Sequence, residues 1–262
     1  MSTLTTKQDA FGAAMHDCLR GKRSYEIVER DDGFYDASGG PLFYFKDYPD
    51  WPDFQREAIS LARGRVLDVG CGAGRVALYL QRRGMDVTGI DNSPLAIAVC
   101  KARGVKKARV MSVTQLSRRL GVFDTIVMYG NNFGLLGGFR RARWLLRRFH
   151  GMTSLAGRII AESTDPYRAR GKPDPCHLAY HRFNRHRGRM GGQLRIRIRY
   201  RRYATPWFDY LLASMEEMAR IVRGTGWRIA RFFDSQGPHY IAILEKDPKR
   251  PSRQARHTGR LQ

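Results

Sequence analysis

Residues 66–74 of this 262-residue chain read Val66-Leu67-Asp68-Val69-Gly70-Cys71-Gly72-Ala73-Gly74. The short apolar, β-branched run predicts a strand over Arg65–Val69. Three alternating glycines then lead into helical spacing at 74–83. Glycines at such a junction let the backbone approach a ligand at the N-terminal end of the helix. The stretch therefore predicts an α/β fold with a ligand-binding loop.

Strand-like and helix-like segments alternate after this loop. Apolar runs recur at 86–90, 108–113, 123–128 and 158–162, with helical spacing after Pro94 and at 140–150. This alternation predicts a parallel sheet with helices on both faces, an α/β/α sandwich of three layers. Ser214 and Glu217 form a capping box that opens a helix to about residue 224. Because only four residues separate the strand-like runs 227–234 and 239–244, the final strand is predicted to be antiparallel.

Two carboxylates accompany the glycine loop. Asp91 ends the second predicted strand, 21 residues after Gly70, where it is placed to accept hydrogen bonds from ribose hydroxyls. Asp68 stands two residues before the first glycine, where it would repel a pyrophosphate and attract a cationic amino-acid group. A dinucleotide fingerprint requires Gly or Ala at its sixth position, and Arg75 stands there. The loop therefore departs from the nicotinamide-type pattern.

With these motifs the sequence resembles the class I S-adenosylmethionine-dependent methyltransferases, and more narrowly the methyltransferase-domain group of small bacterial enzymes. The resemblance covers about residues 58–246, and its specific motifs are 66–74 and 87–91. It implies a Rossmann-like, seven-stranded sheet in the order 3-2-1-4-5-7-6, with strand 7 antiparallel. It also implies S-adenosylmethionine as the cofactor, S-adenosylhomocysteine as the product, and no metal.

The resemblance assigns cofactor roles to residues at the ends of the predicted strands. The glycines would lie under the methionine portion, Asp68 near its ammonium group, and Asp91 on the ribose. Asn92 would flank the adenine, and Ser112 stands where an acidic residue is common in the family. Tyr129 and Asn131 are candidates for the methionine end, although a turn held by asparagine side chains explains this segment equally well. The implied cofactor-binding set is Asp68, Gly70, Cys71, Gly72, Gly74, Asp91, Asn92, Ser112, Tyr129 and Asn131.

Residues for a methyl acceptor are less sharply marked. Ligands of this architecture bind beyond the carboxyl ends of the strands, which indicates Asn132 and Phe133. Aromatic residues of the N-terminal region and Trp207 either form a lid over the acceptor or pack ordinarily. His177, His181 and Tyr25 are candidate catalytic groups, against the alternative that each histidine has a surface or loop role. The Pro-Pro-aromatic motif of amino-directed nucleic-acid methyltransferases is absent after Gly130.

The formal charge of +23 is distributed unevenly along the chain. Residues 24–60 are acidic, whereas 182–202 hold nine arginines and no acidic residue, and the tail 247–262 is basic. Strict alternation at 194–201 predicts a strand with one apolar and one arginine face. The arginine face either binds phosphates or carboxylates, or it is the solvated outer face of an edge strand that its charges protect from pairing. We favour the second interpretation. We predict an N-terminal cap at 1–57, a core at 58–246 with an insertion at 165–210, and a disordered tail.

Composition limits the remaining classes of function. No apolar run approaches the ~20 residues that span a bilayer, and the first 20 residues lack the apolar segment of a signal peptide, so we expect a cytoplasmic protein without a membrane partner. The four cysteines form no CxxC pair, which argues against zinc. We predict methyl transfer to an O, N or C nucleophile of a small molecule. The alternatives are an RNA- or protein-directed methyltransferase that uses 182–202 and the tail, and a non-catalytic S-adenosylmethionine-binding protein.

Overall fold

The computed structural model describes residues 3–168 and 174–248. Its strands are β1 (Ile27–Arg30), β2 (Tyr35–Ala37), β3 (Arg65–Val69), β4 (Asp86–Asp91), β5 (Ala108–Val110), β6 (Phe123–Met128), β7 (Thr153–Thr164), β8 (Gln193–Tyr200), β9 (Tyr203–Ala204), β10 (Phe208–Leu211), β11 (Trp227–Asp234) and β12 (His239–Lys246). Its α-helices are α1 (Ala10–Leu19), α2 (Asp53–Ile59), α3 (Arg75–Arg82), α4 (Pro94–Ala102), α5 (Phe139–Gly151), α6 (Pro175–His186) and α7 (Met215–Val222). Of the predicted tail, all but Asp247 and Pro248 lies outside the described residues.

The main sheet has seven strands in the order β5-β4-β3-β6-β7-β12-β11. Neighbours from β5 to β7 pair in parallel, and β12 runs antiparallel to both β7 and β11. Counted along the core, this is 3-2-1-4-5-7-6 with an antiparallel last strand, which confirms the predicted fold. Strand β5 is shorter than the predicted 108–113, because the side chain of Ser112 caps a 3₁₀ helix, Val113–Gln115.

Successive residues of the central strands enter two different hydrophobic cores. Leu67 and Ile126 pack with α5 and α7 on one face of the sheet. Val66 and Val127 pack with α2, α3 and α4 on the other face. A strand that is buried on both faces explains the nearly continuous apolar runs in the sequence. The result is the predicted three-layer sandwich.

A second, antiparallel sheet covers the carboxyl edge of the main sheet. Its strand order is β10-β8-β1-β2, with β9 paired to β8. We call this sheet (β1, β2, β8, β9 and β10) the lid sheet. The N-terminal segment and the 165–210 insertion, which sequence reasoning treated as two pieces, therefore supply strands to one unit.

The arginine-bearing strand β8 lies in the middle of the lid sheet, so the prediction that it is an edge strand is wrong. It pairs with β1 on one side and β10 on the other. Arg197 places Nη2 2.7 Å from Oε1 of Glu29 on β1, and Arg199 pairs with the same carboxylate. Arg195 lies 3.6 Å from Asp209 on β10. The three arginines of β8 thus face two carboxylates on the neighbouring strands.

Asp9 joins the lid to the core. It is fully buried at the start of α1, where its Oδ1 accepts a hydrogen bond from the Gly12 amide at 3.0 Å. The same carboxylate accepts from Ser93 Oγ at 2.5 Å and from the Leu95 amide at 2.9 Å, at the start of α4. One side chain thus caps two helices. It fixes α1 beside the segment that follows Asp91.

Candidate functional site

A cavity of about 880 Å³ lies between the carboxyl edge of the main sheet and the underside of the lid sheet. Its floor includes the glycine loop and the ends of β4 and β6, and its roof includes Val28, Ile196 and Ile198 of the lid sheet. Its volume is within the range of small-molecule sites. The cavity is therefore large enough for a nucleoside-sized ligand together with a second small molecule.

The glycine loop passes closely under neighbouring segments. The amides of Gly70 and Cys71 both donate to the carbonyl of Ile90, at 2.9 and 3.0 Å. Gly70 has a φ of +72°, and a Cβ there would lie 2.5 Å from Nδ2 of Asn132. Asn132 in turn donates to the carbonyls of Val69 and Gly70, at 3.0 and 2.8 Å. Side chains at the end of β6 therefore hold the loop in its conformation.

Asp68 and Arg75 present unpaired polar atoms at the two ends of this loop. Both residues are buried and line the cavity. Within the described part of the chain, Asp68 Oδ2 and Arg75 Nη1 have no hydrogen-bond partner. Burial raises the pKa of Asp68 to about 7, against the opposing effect of the Arg75 guanidinium. Buried groups of opposite charge without full partners suit a zwitterionic ligand.

A buried hydrogen-bond network fixes Arg75. Its Nη2 donates to Gln55 Oε1 at 3.2 Å, and its guanidinium stacks over Trp51, 4.5 Å from the ring centroid. Gln55 Nε2 donates to Glu162 Oε2 at 2.9 Å, and the Gly130 amide donates to the same oxygen at 2.9 Å. Burial raises the pKa of Glu162. The network joins α2, the glycine loop and the end of β6 in one rigid unit.

Asp91 occupies the carboxyl end of β4 and lines the cavity. Its Oδ2 accepts from the Gly72 amide at 3.1 Å, and its Oδ1 accepts from the Ser93 amide at 3.0 Å. Burial raises its pKa to about 6. Asn92 and Ser112 line the same part of the cavity, and the Asn92 carbonyl accepts from the Leu4 amide at 3.0 Å. A carboxylate with remaining acceptor capacity is therefore flanked by two polar residues.

The structure brings most of the sequence-predicted residues together. Those that line the cavity are Asp68, Gly70, Cys71, Gly72, Asp91, Asn92, Ser112, Tyr129, Asn131, Asn132 and Trp207. Asn131 has a left-handed φ of 64°, and its buried Oδ1 has no hydrogen-bond partner in the described residues. Gly74 lies behind the loop, where a Cβ would meet Val105 and Cys100. Gly74 therefore serves close packing of the helix start.

Four of the predicted acceptor-side and catalytic residues do not line the cavity. Phe133 is fully buried in the core beneath α5, where its ring packs among apolar side chains. Tyr25 is 61% exposed at the surface. His177 packs edge-on against Phe34, with ring centroids 4.8 Å apart. His181 is buried behind the lid sheet, and burial lowers its pKa to about 4.

The fold brings to the cavity two residues, His239 and Tyr210, that no pattern in the sequence indicated. His239, at the start of β12, lines the cavity, and its Nδ1 lies 3.0 Å from Thr164 Oγ1. Tyr210 of β10 also lines it and donates to the Asn131 carbonyl at 2.7 Å, which links lid and core. The final strand is antiparallel and thus begins at the carboxyl edge of the parallel strands. The predicted antiparallel direction of this strand could have indicated that its first residue, His239, lies at that edge.

No group of three or more His, Cys, Asp or Glu suited to hold a metal ion occurs in 3–168 or 174–248. Over the same ranges, no helix has the length and apolar character that crossing a membrane requires.

Residues 66–151 match a family profile described as Methyltransferase domain. A ubiquinone biosynthesis O-methyltransferase from Dechloromonas aromatica is 41% identical over 83 residues, which are 29% of this chain and 34% of that protein. Its counterpart from Xanthomonas oryzae pv. oryzae is 36% identical over 80 residues, 28% of this chain and 34% of that protein. The chain thus aligns with about a third of the length of these curated relatives.

Solved structures match over far more of the chain. An S-adenosylmethionine-dependent methyltransferase from Bacteroides fragilis, in complex with S-adenosylhomocysteine, superimposes with a TM-score of 0.78 and 27% identity. The match covers 94% of this chain and 98% of that one, so it includes the lid as well as the core. The CcbJ methyltransferase from Streptomyces caelestis matches with a TM-score of 0.56 and 15% identity, over 76% of this chain and 94% of that one. The second match supports the fold alone.

Proposed function

We propose, from the premise that this chain belongs to the class I S-adenosylmethionine-dependent methyltransferases, that it methylates a small molecule held under the lid sheet. The observation that carries the proposal is one continuous cavity, with the cofactor-type loop on its floor and an apolar lid as its roof. When bound, S-adenosylmethionine supplies an electrophilic methyl group on its sulfonium, and S-adenosylhomocysteine remains after transfer. The chain's own residues bind, orient and exclude water.

The unpaired groups at the loop fit the amino-acid portion of the cofactor. Asp68, with Oδ2 unpaired in the described residues, would hold the ammonium group. Arg75, with Nη1 unpaired there, would hold the carboxylate at the other end of the same portion. Asp91 would accept hydrogen bonds from the ribose hydroxyls, with Asn92 and Ser112 beside the adenine. Two charged contacts of opposite sign select a zwitterion over a pyrophosphate.

The roof of the cavity favours an apolar acceptor with a flat ring. Val28, Ile196 and Ile198 present aliphatic side chains, and Trp207 adds an aromatic surface that the guanidinium of Arg197 covers at 4.6 Å. The curated relatives are named O-methyltransferases of ubiquinone biosynthesis, which supports a hydroxyl as the acceptor group. Their similarity extends over about a third of their own length, so acceptor identity rests on the cavity.

His239 is our candidate for the base that takes the acceptor's proton. Among the described residues it is the histidine that lines the cavity. The Thr164 hydroxyl, 3.0 Å from Nδ1, orients the imidazole ring at the wall of the cavity. Methyl transfer to oxygen forms a C–O bond, breaks the S–CH₃ bond and releases this proton. His239 replaces His177 and His181 in this role.

Calorimetric titration with S-adenosylhomocysteine tests the cofactor assignment. Asp91→Ala should weaken binding at least tenfold, since a charged acceptor contributes about 1.5–3 kcal/mol per hydrogen bond. Asp86→Ala is the matched control, because Asp86 is an exposed carboxylate at the other end of the same strand. Equal affinity of the two variants would refute the ribose contact.

Product formation separates the remaining alternatives. Release of S-adenosylhomocysteine with a panel of phenols and catechols, unaffected by added salt, supports a small-molecule acceptor. Turnover with RNA or protein that falls steeply as salt rises would support the macromolecular alternative instead. Tight cofactor binding without turnover on any acceptor would favour a non-catalytic protein. Methylation of a panel of amines, without methylation of any tested phenol, would refute only the assignment of a hydroxyl as the acceptor group.

A further inference from the structure

A second cleft, of about 610 Å³, shares no lining residue with the cavity under the lid. It opens where the start of α5, the end of α6 and the outer side of α7 meet. Five arginines from three separate stretches of sequence line it, namely Arg140, Arg141, Arg185, Arg189 and Arg220. We call it the arginine cleft. None of the five lies on β8, although Arg185 and Arg189 belong to the 182–202 stretch that suggested a polyanion surface in the sequence.

The two acidic residues of the arginine cleft are already engaged. Asp209 Oδ1 pairs with Arg189 Nη2 at 3.0 Å, and it lies 3.6 Å from Arg195. Glu217 accepts a hydrogen bond from the Tyr167 hydroxyl at 2.8 Å and another from the Ser214 amide at 3.1 Å. Since five arginines and two carboxylates line the cleft, it keeps a surplus of three positive charges.

Three of the five guanidinium groups remain available for a ligand. Arg141 is used within the protein, because it donates to the backbone carbonyls of Leu136 and Leu135 at 2.9 and 3.3 Å. Arg140, Arg185 and Arg220 are exposed and form no salt bridge within residues 3–168 and 174–248, and Arg185 also lies over the Tyr167 ring, 5.7 Å from its centroid. Three guanidinium groups from three helices, without a carboxylate partner among the described residues, thus line one concave surface.

The backbone adds to the same electrostatic potential. Helix α5 begins at Phe139, and its N-cap, Gly138, provides no side-chain hydrogen bond to the first turn. The positive end of a 13-residue helix therefore lies at the wall of the arginine cleft. A single carboxylate matches one guanidinium fork, whereas several guanidinium groups around a helix end match the many oxygens of phosphate groups.

We propose that the arginine cleft binds a phosphate-bearing ligand, with Arg140, Arg185 and Arg220 as its phosphate contacts. Its volume accommodates a diphosphate with an attached organic group. The same chemistry is offered by a free small phosphate and by the phosphodiesters of a nucleic-acid strand. The site is independent of the cofactor cavity, so it stands whether or not the chain proves to be a methyltransferase.

The test compares two triple variants that carry the same change in charge. R140E/R185E/R220E reverses the three available arginines of the cleft. R83E/R109E/R119E is the matched control, because these arginines are exposed and line neither the cleft nor the cavity. Calorimetry with inorganic pyrophosphate and fluorescence polarisation with a labelled 12-nucleotide single-stranded RNA supply the two binding readouts. Thermal unfolding by circular dichroism verifies that each variant is folded.

We expect the cleft variant to lose at least about tenfold in affinity while the control loses less than about threefold, since three charge-assisted contacts are removed. Loss confined to pyrophosphate identifies a free phosphate ligand, and loss confined to RNA identifies a strand. The affinity of the native chain for the probes should fall more steeply with rising salt than the affinity of the cleft variant. Binding of neither probe, or equal losses in the two variants, overturns the proposal. If the cleft variant does not fold, Arg220→Gln alone, on the exposed side of α7, repeats the comparison against Arg119→Gln.

Discussion

Asp68→Asn should strengthen the fold and weaken cofactor binding at the same time. The carboxyl group of Asp68 is buried, and its Oδ2 has no hydrogen-bond partner among the described residues. Burial raises its pKa to about 7 from 3.8. Asparagine keeps the shape of the side chain and removes the charge. The substitution therefore isolates the free-energy cost of holding a carboxylate at this position.

The pKa of Asp68 determines the size and sign of the effect on stability. Since the folded chain holds this proton more tightly than the unfolded chain, folding takes up a proton between about pH 4 and pH 7. Stability from this group is thus fully present below pH 4 and is lost as pH rises through 7. A shift of about three pKa units corresponds to about 4 kcal/mol. Asp68→Asn should raise the free energy of unfolding at pH 8 by up to that amount.

Cofactor binding should respond in the opposite direction. If the ammonium group of the cofactor pairs with the Asp68 carboxylate, affinity rises as pH increases through about 7 and levels off above pH 8. About a tenth of the carboxyl groups are ionised one pH unit below the pKa, so affinity at pH 6 should be about tenfold weaker. Asp68→Asn should lose about 10- to 100-fold at pH 8, because a charge-assisted hydrogen bond is removed.

Urea unfolding at pH 5 and 8, and calorimetry with S-adenosylhomocysteine from pH 5.5 to 8.5, measure both quantities. Asp124→Asn is the control, because Asp124 lies outside the cavity and hydrogen bonds from the Arg65 amide lower its pKa. That variant should be slightly less stable, with unchanged affinity. Affinity of the native chain that is constant from pH 6 to 8, or an Asp68→Asn variant that is no more stable than the native chain at pH 8, would refute the reasoning.

Two further predictions concern the loop and the attachment of the lid. Gly70→Ala should cost about 2 kcal/mol or more and weaken S-adenosylhomocysteine binding, because its φ is +72° and the new Cβ would lie 2.5 Å from Asn132 Nδ2. Gly84→Ala, with a φ of +81° and open space around it, should show the backbone cost without loss of affinity, and equal affinities would contradict the contact. Asp9→Ala should lower the free energy of unfolding by about 3 kcal/mol, because three hydrogen-bond donors at two helix starts lose their acceptor. Asp9→Asn should lose less stability than Asp9→Ala in chemical denaturation. Equal losses in the two variants would show that the shape of the side chain is not what caps the helices.

The core of the fold could be predicted because its signals are local. Arg65–Val69 begins and ends as predicted, and Ser214 caps α7 through the predicted box with Glu217. The four-residue link between β11 and β12 required an antiparallel end to the sheet. Each of these inferences depends on neighbouring residues, whose backbone conformations the sequence determines directly.

The predictions that failed depended on distant residues. The sequence 194–201 shows a two-faced strand, but its central place in the lid sheet depends on pairing with β1, about 168 positions away, where Glu29 meets Arg197. The histidines near one another in sequence, His177 and His181, lie on α6, away from the cavity. His239 reaches the cavity because of the order of the strands.

The sequence by itself therefore determined the glycine loop, its two aspartates and the alternation that builds the sheet, since helix and strand periods are properties of short segments. Tertiary structure alone decided which charges are paired and which remain available. The nine arginines of 182–202 looked like the basic surface, yet Glu29 pairs with Arg197 and Arg199, and Asp209 pairs with Arg189 and Arg195. The exposed arginines of the arginine cleft, Arg140, Arg185 and Arg220, include only one member of that stretch, because folding brings three helices together and pairs charges by distance in space.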